Sequence, residues 1–417
     1  MPALTSRRRR LLVDTRPLRE CPPFRRLWIG SGLSAVGGQM TTFAVALQLF
    51  TLTHSPVAVG AAGLCAGVPA IVFGLIGGSV ADALDRRRLV LATSTGLAAV
   101  SAVLTMQAYA GNRRTWPLYL LVAVGSVLVS VDQPARRTFL PALLPTDQVA
   151  AGTALNMLTF HGSWMVGPAL AGVVTGAWGL RACYLIDTLS FGAALYGVLR
   201  LPAMAPGGGP SRPDLRAVLD GLRFVAGSRV LVGAFLADMN ATVLGMPIAL
   251  FPAINAERFG GSPRTLGLLA SAVAVGGVTG SVLSGPLSRV ARHGRTMLAA
   301  GAVWGLALAG FGLAHQLWLA LSLLAVAGAA DVSSVISRGT IVQVVTPDRY
   351  RGRVNAVDFV VGGAAPQLGN FRAGAVGSLA TPTVAAVSGG LAVAAGAALI
   401  WLAIPALTRH DSRAAPP

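Results

Sequence analysis

Gly78-Ser79-Val80-Ala81-Asp82-Ala83-Leu84-Asp85-Arg86-Arg87-Arg88 and Gly285-Pro286-Leu287-Ser288-Arg289-Val290-Ala291-Arg292-His293-Gly294-Arg295 each end a long apolar run in a short loop and a basic cluster. Gly78 corresponds to Gly285, and Arg88 to Arg295, at one offset of 207 residues. A weaker echo, Arg137…Asp147 against Arg338…Asp348, repeats at an offset of 201. These echoes predict an internal duplication. Parallel repeats of helical spans imply two bundles related by an axis along the membrane normal, with a ligand site between them at mid-depth.

Working outward from these loops, apolar runs long enough to cross a bilayer fill both halves. A span needs ~20 apolar residues at a rise of ~1.5 Å each. The first half supplies six, at about 27–52, 57–80, 89–110, 117–135, 149–175 and 182–202. The second supplies six more, at about 230–254, 264–289, 296–315, 317–338, 354–379 and 383–407. The predicted fold is an all-α membrane protein of twelve transmembrane helices in two pseudo-symmetric six-helix bundles. Its parts are a basic tail over 1–26, an N-terminal bundle over 27–202, a linker over 203–229, a C-terminal bundle over 230–408 and a tail over 409–417. The linker holds Gly207-Gly208-Gly209-Pro210 and then an amphipathic stretch marked by Leu215, Val218, Leu219, Leu222 and Phe224.

Composition agrees. Of 417 residues, 54% are hydrophobic and only 12% charged, too few to clothe a soluble chain of this size. Fifty-one glycines suit helices that approach closely in lipid. The formal charge of +18 comes from 33 basic residues, every one of them Arg. They lie in short clusters between apolar runs, not along one folded face, so no nucleic-acid partner is expected. Twenty-six fall in the segments on the side of the N-terminus and five in the intervening loops, with Arg338 and Arg372 inside spans. By the positive-inside rule this places both termini in the cytoplasm of a cell (inner) membrane protein. Ser6 followed by Arg7 to Arg10 faintly resembles a twin-arginine signal, but Asp14, Arg16, Arg19 and Glu20 stand where an apolar region would follow, so it reads as a cytoplasmic tail. Without Lys there can be no Walker A loop, which excludes a P-loop ATPase. Cys21, Cys65 and Cys183 show no metal spacing. No metal site, cofactor or catalytic constellation is expected, and the chain is not read as an enzyme.

The loop Gly78…Asp82…Arg86-Arg87 resembles the most diagnostic motif of the major facilitator superfamily, with Asp85 where that family usually has Gly. Gly167-Pro168-Ala169-Leu170-Ala171-Gly172 in the fifth span is similar to the family's antiporter motif, with Ala171 and Ser163 in place of two glycines. A finer resemblance, to the enterobactin-exporter and multidrug-efflux branch, rests on Thr53-His54-Ser55-Pro56, Leu222-Arg223-Phe224 and Thr346-Pro347-Asp348-Arg349-Tyr350-Arg351-Gly352-Arg353-Val354-Asn355. The resemblance implies a secondary transporter of a small molecule, cycling by rocking of two bundles. It further implies a proton-coupled exporter of a drug-like compound or siderophore, working in the bilayer as a monomer. A proton-coupled importer of a metabolite stays open as the alternative.

The resemblance also assigns roles. Asp82, Arg86 and Asp132, with Gly78, form a latch that meets the start of the eleventh span, where a carboxylate complements the helix dipole. A plain solvated loop suits Arg87 and Arg88 but explains Asp82 and Asp132 poorly. Gly167, Pro168 and Gly172 carry the antiporter-like motif. From the residues themselves, an ionisable group inside a span serves function or a partner. Asp238 lies about eight residues into the seventh span and Asp331 about seven from the end of the tenth, so the two stand at one level ~10–12 Å from the cytoplasmic surface. Two such acids can share a proton and compete for it with a substrate. The bland readings are an ion pair of Asp331 with Arg338, seven residues on, and a structural tie for Asp238. Arg372 either attracts an anionic group or is a packed cation. Gln48, His161 and Asn240 are polar residues of the first, fifth and seventh spans that a cavity could use; for His161 a packed, hydrogen-bonded role is the alternative.

Overall fold

The computed structural model describes residues 14–202, 215–285, 287 and 290–411, with the side chains of 75–83, 215–218, 356 and 359 also left out. Among the described residues, twelve long helices follow one another. They are α1 (Pro22–Thr53), α2 (Pro56–Ala83), α3 (Arg86–Tyr109), α4 (Trp116–Arg137), α5 (Val149–Trp178) and α6 (Leu180–Leu199), then α7 (Arg229–Gly245), α8 (Pro263–Val282), α9 (His293–Leu313), α10 (Leu317–Val345), α11 (Asp348–Leu379) and α12 (Pro382–Ala403).

Eleven spans among the described residues are long and apolar enough to cross a membrane. The exception among the twelve is α11, an unbroken helix of 32 residues whose Asp358, Gln367, Asn370 and Arg372 dilute its hydrophobicity. It packs against α2, α7 and α12. Twelve crossings return Pro22 and Ala403 to one side of the molecule, here called the basic face; the other is the far face.

Local chemistry sets the helix ends. Proline occupies the first turn of α1, α2, α8 and α12, where its missing N–H costs nothing. Asp85 caps α3 by accepting from the Arg88 backbone N–H at 2.9 Å. Gly179, at φ +81°, breaks the chain sharply between α5 and α6, a conformation most side chains resist. The seventh span differs from its expected form. It stops at Gly245, turns through a 3-10 segment at Ile248–Leu250 and resumes as Phe251–Arg258, because Pro247 follows the small Gly245 and cannot donate to the helix ladder. The linker carries a helix at Leu215–Gly227 lying against α11, with Phe224 stacked on Tyr350 at 4.5 Å.

The two halves meet along two pairs of helices, α2 with α11 and α5 with α8. Their close approaches lie toward the far face. A Cβ on Gly172 would stand 2.6 Å from the Pro263 carbonyl oxygen, and one on Gly267 would stand 2.6 Å from that of Pro168. A Cβ on Gly60 would stand 2.7 Å from the Asn370 carbonyl oxygen. At the end of that seam the Ser378 hydroxyl accepts from the Val57 N–H at 3.0 Å and lies 3.1 Å from the Ser55 hydroxyl. Among the described residues, the seam is therefore closed toward the far face.

Candidate functional site

The densest charge inside the membrane gathers on Arg338 of α10. Its Nη1 donates to Asp238 Oδ2 of α7 at 2.6 Å and lies 3.4 Å from Asp358 Oδ1 of α11. Asp238 is 7% exposed and Arg338 8%, so the pair is screened from solvent. One guanidinium thus ties together three helices of the second half. Asp331, two turns before Arg338 on α10, takes no part in that ion pair; it stands partly buried within electrostatic reach of both Asp238 and Arg338. The cluster is two carboxylates paired with one fixed cation, with Asp331 seven residues back on the same helix. A buried guanidinium keeps its charge, so whatever charge changes here changes on the acids.

The other polar candidates of the second half sit apart from this cluster. Asn240, two residues past Asp238, donates from Nδ2 to the Val393 carbonyl of α12 at 2.9 Å. Arg372 of α11 donates to the Leu244 carbonyl, one of those freed where α7 breaks off. Its guanidinium thereby satisfies an acceptor that the interrupted helix leaves without an intrahelical partner.

In the first half, Gln48 is buried on α1, accepts from the Tyr184 hydroxyl at 2.8 Å and exchanges bonds with Gln107 at 3.1 Å. His161 is exposed on α5, edge-on to Phe160 with ring centroids 5.4 Å apart. Asp132 is held by Arg136, one turn on, and by the Thr93 hydroxyl at 2.6 Å. Arg136 also donates to Ser94 at 2.7 Å and to Ser31 at 3.3 Å. Arg86 begins α3, and its Nε is buried without a hydrogen bond among the described residues. Gly78 and Asp82 fall outside the described side chains. Gly167 lies where a Cβ would meet Gln39 of α1, while Pro168 and Gly172 form the α5 side of the seam against α8.

Two acids that hydropathy alone passes over belong in this account. Asp358 reads as an extension of the charged run at 348–353, yet α11 carries it inward to Arg338. Asp187 lies seven residues inside α6, 3% exposed, and accepts from the hydroxyls of Thr41 at 2.7 Å and Ser101 at 2.8 Å.

Comparison with known proteins gives concordant results. The sequence profile described as transmembrane secretion effector matches residues 14–416. The chain is 26% identical over 407 residues to the enterobactin exporter EntS of Shigella boydii and likewise to that of Escherichia coli, covering 97% of this chain and 97% of each relative. Among solved structures, the nucleoside transporter NupG is similar at a TM-score of 0.74 and 15% identity, over 93% of this chain and 100% of that one. A bacterial homolog of the human lysosomal transporter Spinster, in an inward-facing and unoccupied conformation, is similar at a TM-score of 0.71 and 15% identity, over 97% and 100%.

Proposed function

The chain belongs to the major facilitator superfamily, within its transmembrane secretion effectors, and from that premise of a membrane transporter and not an enzyme we propose that it exports a siderophore or a similar amphipathic compound in exchange for protons. The basic face is the cytoplasmic one, as the arginine distribution favours. With the far-face seam closed, the substrate enters from the cytoplasm between the two halves. Rocking about the α2–α11 and α5–α8 seams then exposes it to the other side, and protons travel the opposite way.

The observation that carries the coupling is the imbalance around Arg338: two carboxylates share its one charge, and a third acid, Asp331, stands on the same helix outside the ion pair. Asp331, which has no place in the ion pair, is the acid a proton neutralises first. Its charge sets how strongly Arg338 is drawn from Asp238 and Asp358, and so how firmly α7, α10 and α11 hold one arrangement. The similarity to enterobactin exporters along nearly the whole chain supports export and a siderophore-like cargo.

The test is flux in proteoliposomes of the purified full chain, with enterobactin and the dye ethidium as probes. A pH gradient should drive both, and Asp331→Asn should remove that dependence while gradient-free exchange persists. Flux that ignores the gradient in the unaltered protein overturns the coupling. Absence of flux for both probes overturns the cargo class.

A further inference from the structure

We propose that Asp187 is a second proton-binding site, in the first half of the molecule, which loads from the far face through a chain of hydroxyl groups and carries a proton through the transport cycle. The inference rests on the proton-driven reading above, but its residues lie in the opposite bundle from the Arg338 cluster.

The site is built from three helices. Asp187 of α6 is packed against α1 and α3, and its Oδ2 accepts from the hydroxyls of Thr41 and Ser101. Oδ1 is buried and accepts no hydrogen bond among the described residues. A Cβ on Gly37 would stand 2.6 Å from that oxygen and 2.6 Å from the Ser190 hydroxyl oxygen, so α1 brings bare backbone to this spot and the two oxygens face it together. The Ser190 hydroxyl donates to the Asp187 carbonyl at 2.7 Å, which leaves its lone pairs free.

What surrounds the carboxyl decides its chemistry. The ionisable groups of the helices packed against it, among the described residues, are Arg25 and Arg26 of α1, Arg86, Arg87, Arg88 and Tyr109 of α3 and His161 of α5. On α6 itself they are Arg181, Cys183, Tyr184 and Tyr196. The arginines of α1 and α3 lie in the opening turns of their helices, where Arg87 bonds the Val198 and Leu199 carbonyls at the basic end of α6. Arg181 stacks over Tyr109 at the far end, 5.3 Å from the ring centroid. His161 is exposed, Cys183 faces Thr175 of α5 at 3.2 Å, and the Tyr184 hydroxyl is spent on Gln48. No ion pair to Asp187 appears among the described residues. A charged carboxylate there would be an ion amid hydroxyls and alkyl groups, the arrangement buried charges avoid. The neutral acid fits: Oδ2 keeps its two donors, and the proton sits on Oδ1, beside the Ser190 hydroxyl oxygen that can accept it. When the site meets water, the O–H bond breaks toward a water molecule and the electron pair stays on a carboxylate whose two hydroxyl donors are already in place.

The first steps of a route for that proton toward the far face are present. From Asp187 Oδ2 the Ser101 hydroxyl is at 2.8 Å, Thr188 Oγ1 lies 3.2 Å beyond it, and Thr105 Oγ1 3.1 Å beyond that. Each hydroxyl both donates and accepts, so the row can pass a proton by reorientation. Thr105 stands one turn from the far end of α3, close to the Gln48–Gln107–Tyr184 layer.

The experiment uses the full chain in liposomes. Infrared difference spectra between acid and alkaline buffer, repeated in D2O, should show a protonated-carboxyl band that Asp187→Asn removes and Asp331→Asn leaves. Ser101→Ala, which takes away a donor to the charged form, should move that band's midpoint to higher pH. Asp187→Asn should also cut gradient-driven enterobactin flux at least tenfold with exchange retained. A band that survives Asp187→Asn, a midpoint unmoved in Ser101→Ala, or coupling to Na⁺ in place of pH overturns the proposal. Should Asp187→Asn fail to fold, the Ser101→Ala midpoint decides. Flux without gradient dependence in the unaltered protein overturns this proposal together with the proton-driven reading. Equal coupling in the unaltered protein and in Asp187→Asn overturns this one alone.

Discussion

Each half of the molecule centres an arginine on its fourth helix, and the two arginines are held in opposite ways. In the first half Arg136 of α4 pairs with Asp132 of its own helix and adds the hydroxyls of Ser31 and Ser94. In the second half Arg338 of α10 pairs with Asp238 of α7 and Asp358 of α11. The duplication offsets of 201 to 207 bring Ser31 into register with Asp238 and Arg136 near Arg338. The same scaffold position is thus a neutral hydroxyl in one half and a carboxylate in the other. A pair within one helix survives any movement between helices. A pair across three helices does not, so under the coupling proposed above the second half is where a change of charge would act.

The largest expected effect breaks the second cluster. Arg338→Ala leaves Asp238 and Asp358 uncompensated inside the bundle and should cost about 3–5 kcal/mol, read as loss of folded protein in a detergent melt. Asp238→Asn with Asp358→Asn in the same chain should recover most of it. Arg136→Ala should cost less, about 1–2 kcal/mol, since Asp132 keeps the Thr93 hydroxyl. Comparable losses from the two arginines would erase the contrast between the halves. Asp331→Asn should leave the melt within ~0.5 kcal/mol and lower gradient-driven flux about tenfold, a ~1.4 kcal/mol effect on the rate. The smallest effect sharpens the comparison: Ser31→Asp gives Arg136 a carboxylate across helices and should change stability by less than ~1 kcal/mol. A large destabilisation there would mean that the first half cannot take the second half's arrangement.

Much of this architecture is legible in the sequence, for a plain reason. A bilayer demands ~20 apolar residues per crossing, so length and hydropathy alone locate the helices. The polar α11 is found by its apolar run at about 354–379, while its charged first turns from Asp348 lie outside that run. Hydropathy is indifferent to the direction of the backbone, however, and so passes over the break in α7. The signal there is Gly245-Met246-Pro247. Pairings are harder. Asp238 and Arg338 are 100 residues apart, and nothing in either neighbourhood names the other. Counting from Arg338 along its own helix points to Asp331, whereas in the fold the tighter geometry comes from neighbouring helices. Asp187 carries a clear signal, a lone acid within Leu185-Ile186-Asp187-Thr188-Leu189, but its donors Thr41 and Ser101 come from spans far off in the chain.

Where α5 crosses α8, main chain touches main chain, Gly172 against Gly267. Beside that contact the joint buries Ala171 and Val174 of α5 and Leu266 and Leu269 of α8 in the core. The α2–α11 seam adds a few small stitches at its far end, Ser378 with Ser55 and the Val57 amide. The two halves therefore meet by backbone contact at one seam and by hydroxyl and amide bonds at the rim of the other, so the two seams differ in what must be undone for them to part.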